Sequence, residues 1–177
     1  MKVKLMHQVQ EANEELGAVA QFESNGFVFV AELKDCDIKD FEQDKEYEVN
    51  VTFYGHAVYG VYKNEEEFQE DNPGMAETSY IPVGAFSVNP DDKDWEPSPM
   101  NLINCIVSAL EDNAKVGAPD NLVLFYSNIE GQEVDMCLWY QSSELKDDVQ
   151  PGYIVSGLYW AELRLLNKEP KEETAKC

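Results

Sequence analysis

Positive charge is what this sequence most lacks: 13 Lys and Arg residues stand against 35 Asp and Glu residues, which gives a formal net charge of −22. A nucleic-acid-binding protein uses clustered Lys and Arg to replace the counterions of the phosphate backbone, and the sequence has no such cluster. An anionic membrane surface would repel the chain for the same reason. The charge therefore argues against nucleic-acid and membrane partners and favours a basic protein partner.

Long apolar segments are also missing. Runs such as 27–31 and 122–126 are far shorter than the ~20 residues that a membrane-spanning helix needs. The N-terminus contains Lys2 and Lys4 but is followed by Gln8, Gln10, Glu11, Asn13 and Glu14 instead of the apolar core of a secretion signal. We therefore expect a soluble cytoplasmic protein with no membrane segment.

Cysteine is sparse, with single residues at positions 36, 105, 137 and 177. None of them forms the C-x-x-C spacing of a zinc site or has a closely spaced histidine partner. This pattern predicts free thiols in a reducing compartment. Cys105 and Cys137 lie within apolar segments, so we expect both to be small core residues.

Motifs for catalysis and cofactor binding are absent as well: there is no glycine-rich phosphate loop, no nucleophile elbow and no H-E-x-x-H. His7 and His56 are the only histidines, and histidine is the side chain that ordinarily titrates near neutral pH. We expect no catalytic residue, no metal and no cofactor. The alternative is a small hydrolase-like enzyme that combines His56 with dispersed carboxylates, a set that only folding would assemble.

Alternation of apolar and polar residues is the main pattern that the sequence does contain, and it is typical of strands with one buried face. The segments 16–22 and 26–33 flank Asn25-Gly26, a strong hairpin signal. Residues 47–54 alternate regularly, and we expect a turn around His56 before a further strand. More strands are predicted at 80–88, 122–127, 133–141 and 153–166.

Prolines and acidic residues concentrate in segment 89–99, which cannot form a central strand. We take this segment as a linker between an N-terminal β lobe, residues 1–88, and a C-terminal β lobe, residues 100–166. Residues 167–177 have the composition of a solvated tail. Residues 100–111 fit either a helix or a strand, and their β-branched content favours the strand.

The order of elements in residues 100–166 is three strands, a short helical segment at 143–149 and a long final strand. This order resembles the OB fold, a five-stranded barrel with a helix between its third and fourth strands. The fold class expected is therefore mainly β with short helices, in two small barrel or sheet lobes. Residues 37–51 also echo residues 144–157, which leaves an internal duplication open.

Aromatic side chains on strands are the candidate binding residues, because OB-type barrels bind ligands on an open strand face. Consecutive aromatic residues in a strand point to opposite faces, so one ring of each pair is expected in the core. We therefore predict a binding or protein-interaction module without chemistry of its own, and the composition leaves homo-oligomerisation open. Its candidate site residues are Tyr54, His56, Tyr59, Trp139, Tyr159 and Trp160.

Overall fold

The computed structural model describes residues 1–10, 17–85, 98–112, 115, 122–129, 132–139 and 149–166. The prediction of a mainly β fold with short helices is confirmed. The strands are β1 (Lys2–Gln10), β2 (Val19–Ser24), β3 (Phe27–Lys34), β4 (Glu46–Tyr62), β5 (Ser79–Ile81), β6 (Met100–Leu110), β7 (Leu122–Ile129), β8 (Gln132–Trp139) and β9 (Ile154–Leu165), and the helices are α1 (Glu65–Asp71) and two short 3-10 helices, Ile38–Asp40 and Val83–Ala85.

The structure tests two local predictions, the hairpin at Asn25-Gly26 and the choice between helix and strand for residues 100–111. The Asn25-Gly26 pair forms the two-residue loop between β2 and β3, with φ angles of 51° and 88°. Positive φ at both positions is what this hairpin turn requires, which explains the Asn-Gly pair. Residues 100–110 form a strand, with Ile103, Cys105 and Val107 buried on one face.

The strand β4 is longer than the sequence predicts, because it continues through the turn expected at His56. The register of its pairing with β9 shifts at two places, between Gly55 and Ala57 and between Val58 and Gly60. Extra residues of this kind bend a strand without ending it. The prediction of a turn between two strands is therefore wrong, and His56 lies within β4.

The strand pairings close into two rings of five strands that share β4 and β9. In the first ring, β1, β2 and β3 form an antiparallel meander; β3 then pairs parallel with β9, and β1 pairs antiparallel with β4. In the second ring, β6, β7 and β8 form the meander; β8 pairs parallel with β4, and β6 pairs antiparallel with β9. An antiparallel ladder between β4 and β9 completes both rings.

The two rings therefore have the same connectivity, with β1 to β4 corresponding to β6 to β9. In the β4–β9 ladder Thr52 lies opposite Glu162. The parallel pairings of the rings also match at these residues, since Thr52 pairs with Asp135 and Glu162 pairs with Glu32. An approximate two-fold axis thus passes through the Thr52–Glu162 pair. The predicted sequence echo compares the segments before β4 and β9, the strands that this axis exchanges.

The expectation of two barrel-like lobes needs a correction, because the lobes are not separate stretches of chain. Residues 1–88 provide β4 to the second ring, and residues 100–166 provide β9 to the first. Among the described residues of 100–166, β6 to β9 close into a ring only together with β4 of residues 1–88, so the OB resemblance does not apply to that range alone. Three predicted segments lie wholly or largely outside the described residues: the linker 89–99 except for 98–99, the predicted helix 143–149 except for Val149, and the tail 167–177.

The larger of two hydrophobic clusters among the described residues extends through both rings. It includes Phe22 and Phe29 from the first ring, Phe125 from the second and Phe53 on the shared strand β4. The predicted core residue Cys105 belongs to it, and its burial raises the pKa of the thiol to about 12. The buried faces of β4 and β9 point into this core, so their other faces lie on the outside of the molecule.

Candidate functional site

A groove of about 270 Å³ lies on the outer face of the second ring. Thr52 and Tyr54 of β4 form one side, and Leu124 and Tyr126 of β7 form another. These residues alternate with buried neighbours on the same strands, which is why the sheet places them outward. The remaining lining residues are Glu111, Phe125, Asp135 and Met136.

Tyr126 lies next to both acidic residues of the groove. Its hydroxyl donates a hydrogen bond of 2.6 Å to Glu111 Oε2, and its backbone lies opposite Asp135 in the β7–β8 pairing. The hydrogen bond to Glu111, partial burial and the negative charges of Glu111, Asp135 and Glu133 raise the pKa of Tyr126 to about 12. The Tyr126 hydroxyl therefore stays protonated beside Glu111, and the nearby carboxylates add to this effect.

No cation of the described chain balances this charge. Within the described ranges, the walls of the groove contain no Lys or Arg, and neither Glu111 nor Asp135 lies within ion-pair distance of one. The groove combines two tyrosine side chains with two carboxylates. Such a surface attracts a cation by charge and by contact with the rings.

The equivalent place on the first ring is the β3–β9 pairing, where Glu32 is only 2% exposed. Its Oε1 accepts hydrogen bonds of 2.7 Å from Lys34 Nζ and 2.7 Å from the Gly17 backbone N–H. Its Oε2 accepts a hydrogen bond of 2.9 Å from Trp160 Nε1. A Cβ at position 17 would lie 2.6 Å from the Leu33 carbonyl oxygen, so only glycine allows this approach.

This network keeps Glu32 ionised despite its burial. Burial alone would raise the pKa of Glu32, but the hydrogen bonds from Lys34, Gly17 and Trp160 and the charge of Lys34 outweigh it and lower the pKa below its ordinary value. Lys34 Nζ also lies 3.7 Å from Glu162 Oε1. The described residues on the outer face of this pairing therefore contain both the acids and the cations that balance them.

The structure brings only part of the predicted site together. Tyr54 lines the groove and lies opposite Trp160 in the β4–β9 ladder, while Trp160 donates to Glu32. Tyr159 is fully buried in the core, on the opposite face from Trp160 as strand alternation requires. His56 is exposed on β4. Tyr59 and Trp139 lie on β4 and β8, and their side chains are outside the described part of the structure.

Four residues that the sequence reasoning missed define the two outer sites: Glu32, Glu111, Tyr126 and Asp135. A local signal existed for Glu32 and Asp135, because each is a carboxylate inside an apolar strand segment. Trp160 beside Glu32 and Tyr54 near Asp135 could not be found this way, since the β3–β9 and β4–β8 pairings join strands far apart in sequence.

The described residues contain no group of three or more His, Cys, Asp or Glu side chains placed to hold a metal ion. Among the described helices, none is both long and apolar enough to cross a membrane. No protein-family model matches the sequence, and neither a curated protein nor a solved structure shows significant similarity to it.

Proposed function

We propose that this protein is a binding module that recognises a positively charged segment of a partner protein through the groove of Tyr54, Glu111, Tyr126 and Asp135. The observation that supports this proposal most directly is a concave site with two tyrosines and two carboxylates and no cation of the described chain beside them. The net charge of −22 would attract a basic partner over a longer range and speed its association.

We also propose that the module acts in the cytoplasm. Cys105 is a buried free thiol in the structure. Free thiols are typical of a reducing compartment, where disulfides are rare.

The test is an NMR titration of the ¹⁵N-labelled protein with a short lysine- and arginine-containing peptide and with an acidic peptide of equal length. We expect the basic peptide to shift the backbone signals of Tyr54, Tyr126 and Asp135, with weaker shifts at high salt because exposed charges are screened. The acidic peptide should cause no shifts there.

The matched variants are Asp135→Asn in the groove and Asp71→Asn on the exposed helix α1, which remove the same charge. Asp135→Asn should weaken binding of the basic peptide, and Asp71→Asn should not. Equal losses in the two variants would show that net charge, rather than the groove, attracts the peptide and would contradict the proposal.

A further inference from the structure

We propose that the groove binds the primary ammonium group of a lysine side chain, an inference that rests on the proposed function and names its ligand. The first ring contains an internal version of this interaction. Lys34 places its ammonium 2.7 Å from Glu32 Oε1 and 3.7 Å from Glu162 Oε1, so that one ammonium lies between carboxylates of two adjacent strands. The two rings share their connectivity, so the same outer position can be compared between them.

At the equivalent position the second ring retains an acid but lacks the cations. By the register of the parallel pairings, Asp135 corresponds to Glu32 and Thr52 to Glu162. By the same register, Lys34 of the first ring corresponds to Cys137 of the second, and Arg164 corresponds to Tyr54. Both cations are therefore replaced by uncharged residue types.

The second carboxylate of the groove belongs to Glu111. This is not the residue that corresponds to Glu162 of the first ring, which is Thr52. Glu111 follows the end of β6, and its backbone N–H donates to the Leu124 carbonyl oxygen at 2.9 Å, which fixes it beside β7. The hydrogen bond from Tyr126 then orients its carboxylate. The groove thus offers one carboxylate from strand β8 and one from the residue after β6, and none of its described lining residues supplies the ammonium that the first ring has at this position.

The first ring favours lysine over arginine as the ligand, because Glu32, the counterpart of Asp135, binds the ammonium of Lys34. An ammonium is compact and offers three donors, whereas a guanidinium is planar and presents its donors in a fixed fork. The lysine stem is apolar and would pack along Leu124 and the ring of Tyr54. A volume of about 270 Å³ accommodates one such side chain rather than a longer segment.

The experiment compares three peptides that differ at one position, Gly-Ser-X-Ser-Gly with X as lysine, arginine or norleucine, acetylated and amidated at the ends. Binding to the full chain is followed by NMR shifts of the groove residues. We expect the lysine peptide to bind best, and we expect Asp135→Asn or Glu111→Gln to weaken it by about tenfold, the effect of losing one charge-assisted hydrogen bond. Asp71→Asn is the control.

A second variant supplies the missing cation from the chain itself. Leu124 lines the groove, so Leu124→Lys should compete with the lysine peptide and reduce its binding. Leu166→Lys carries the same change of charge at an exposed position that does not line the groove, and it should bind normally. Normal far-UV circular dichroism of both variants would show that each is folded.

The outcomes separate this inference from the proposed function. If the arginine peptide binds as well as the lysine peptide, with shifts in the groove, the ammonium inference is overturned and the basic-partner proposal stands. If norleucine binds equally well, charge is irrelevant and both are overturned. If Leu124→Lys binds the lysine peptide normally, a cation inside the groove does not compete with the peptide, and the inference is overturned.

Discussion

The outer faces of the two rings differ in what balances their acidic residues. On the first ring, Lys34 lies against Glu32 and Glu162, and the Trp160 indole completes the network. On the second ring, Glu111 and Asp135 border an open groove with no cation among its described lining residues. The same strand connectivity therefore supports a self-contained structural network in one ring and an open, negatively charged surface in the other.

The largest expected effect tests whether the rings are one folding unit. Phe53 is fully buried on the shared strand β4 and packs in the common core. Phe53→Ala should destabilise the protein by about 3–5 kcal/mol, the usual cost of such a truncation. Urea unfolding followed by circular dichroism and by tryptophan fluorescence should give one coincident transition for both probes.

The control for this variant is Leu166→Ala, at an exposed position, which should change stability by less than about 0.5 kcal/mol. Two separate transitions in the Phe53→Ala protein would mean that the rings unfold independently, and the single shared core would then not couple them.

The next largest effect is the loss of stability on replacing Glu32, compared with that on replacing its counterpart Asp135. Glu32→Gln removes a buried carboxylate and leaves Lys34 without its 2.7 Å partner, so we expect a loss of about 2–4 kcal/mol. Asp135→Asn, at the equivalent position of the open groove, should cost less than about 0.5 kcal/mol. Urea unfolding at neutral pH measures both, and similar losses would remove the distinction between a structural network and a binding groove.

The difference between the wild-type protein and Glu32→Gln should also depend on pH. Because the folded state lowers the pKa of Glu32, the carboxylate contributes its full stability above its ordinary pKa, about 4.5. That contribution is lost as the pH falls through the lower, folded-state pKa. Unfolding measured between pH 7 and pH 3 should show the gap narrowing only at the acid end, and a constant gap would show that ionisation of Glu32 is not involved.

The smallest expected effect concerns the ionisation of Tyr126 in the groove and does not involve stability. Tyr126 should ionise with a pKa of about 12, later than an ordinary tyrosine near 10, in an ultraviolet absorbance titration. Glu111→Gln removes both the hydrogen-bonded carboxylate and its charge, so it should lower the pKa of Tyr126. The Tyr126→Phe protein identifies the signal, and a wild-type pKa near 10 would show that Glu111 and the nearby carboxylates do not keep the hydroxyl protonated as described above.

Sequence patterns predict those parts of the fold that depend on near neighbours. Alternation identified the strands, and Asn25-Gly26 identified a hairpin, because both signals arise within a few residues. The register of β3 on β9 and of β4 on β8 depends on chain closure over more than 80 residues, and no local pattern encodes it. Tyr54 was therefore found as a candidate, whereas Glu111 and Asp135 needed the folded sheet to place them beside it.

The Thr52–Glu162 pair at the approximate two-fold axis puts the two outer sites side by side. Thr52 borders the groove, and Glu162 lies within ion-pair distance of Lys34 on the neighbouring strand β3 and of Arg164 on its own strand β9. An occupant of the groove would thus be a near neighbour of the charges that join β3 to β9. A charge introduced at this pair would therefore act both on the proposed ligand of the groove and on the ion pairs of Glu162.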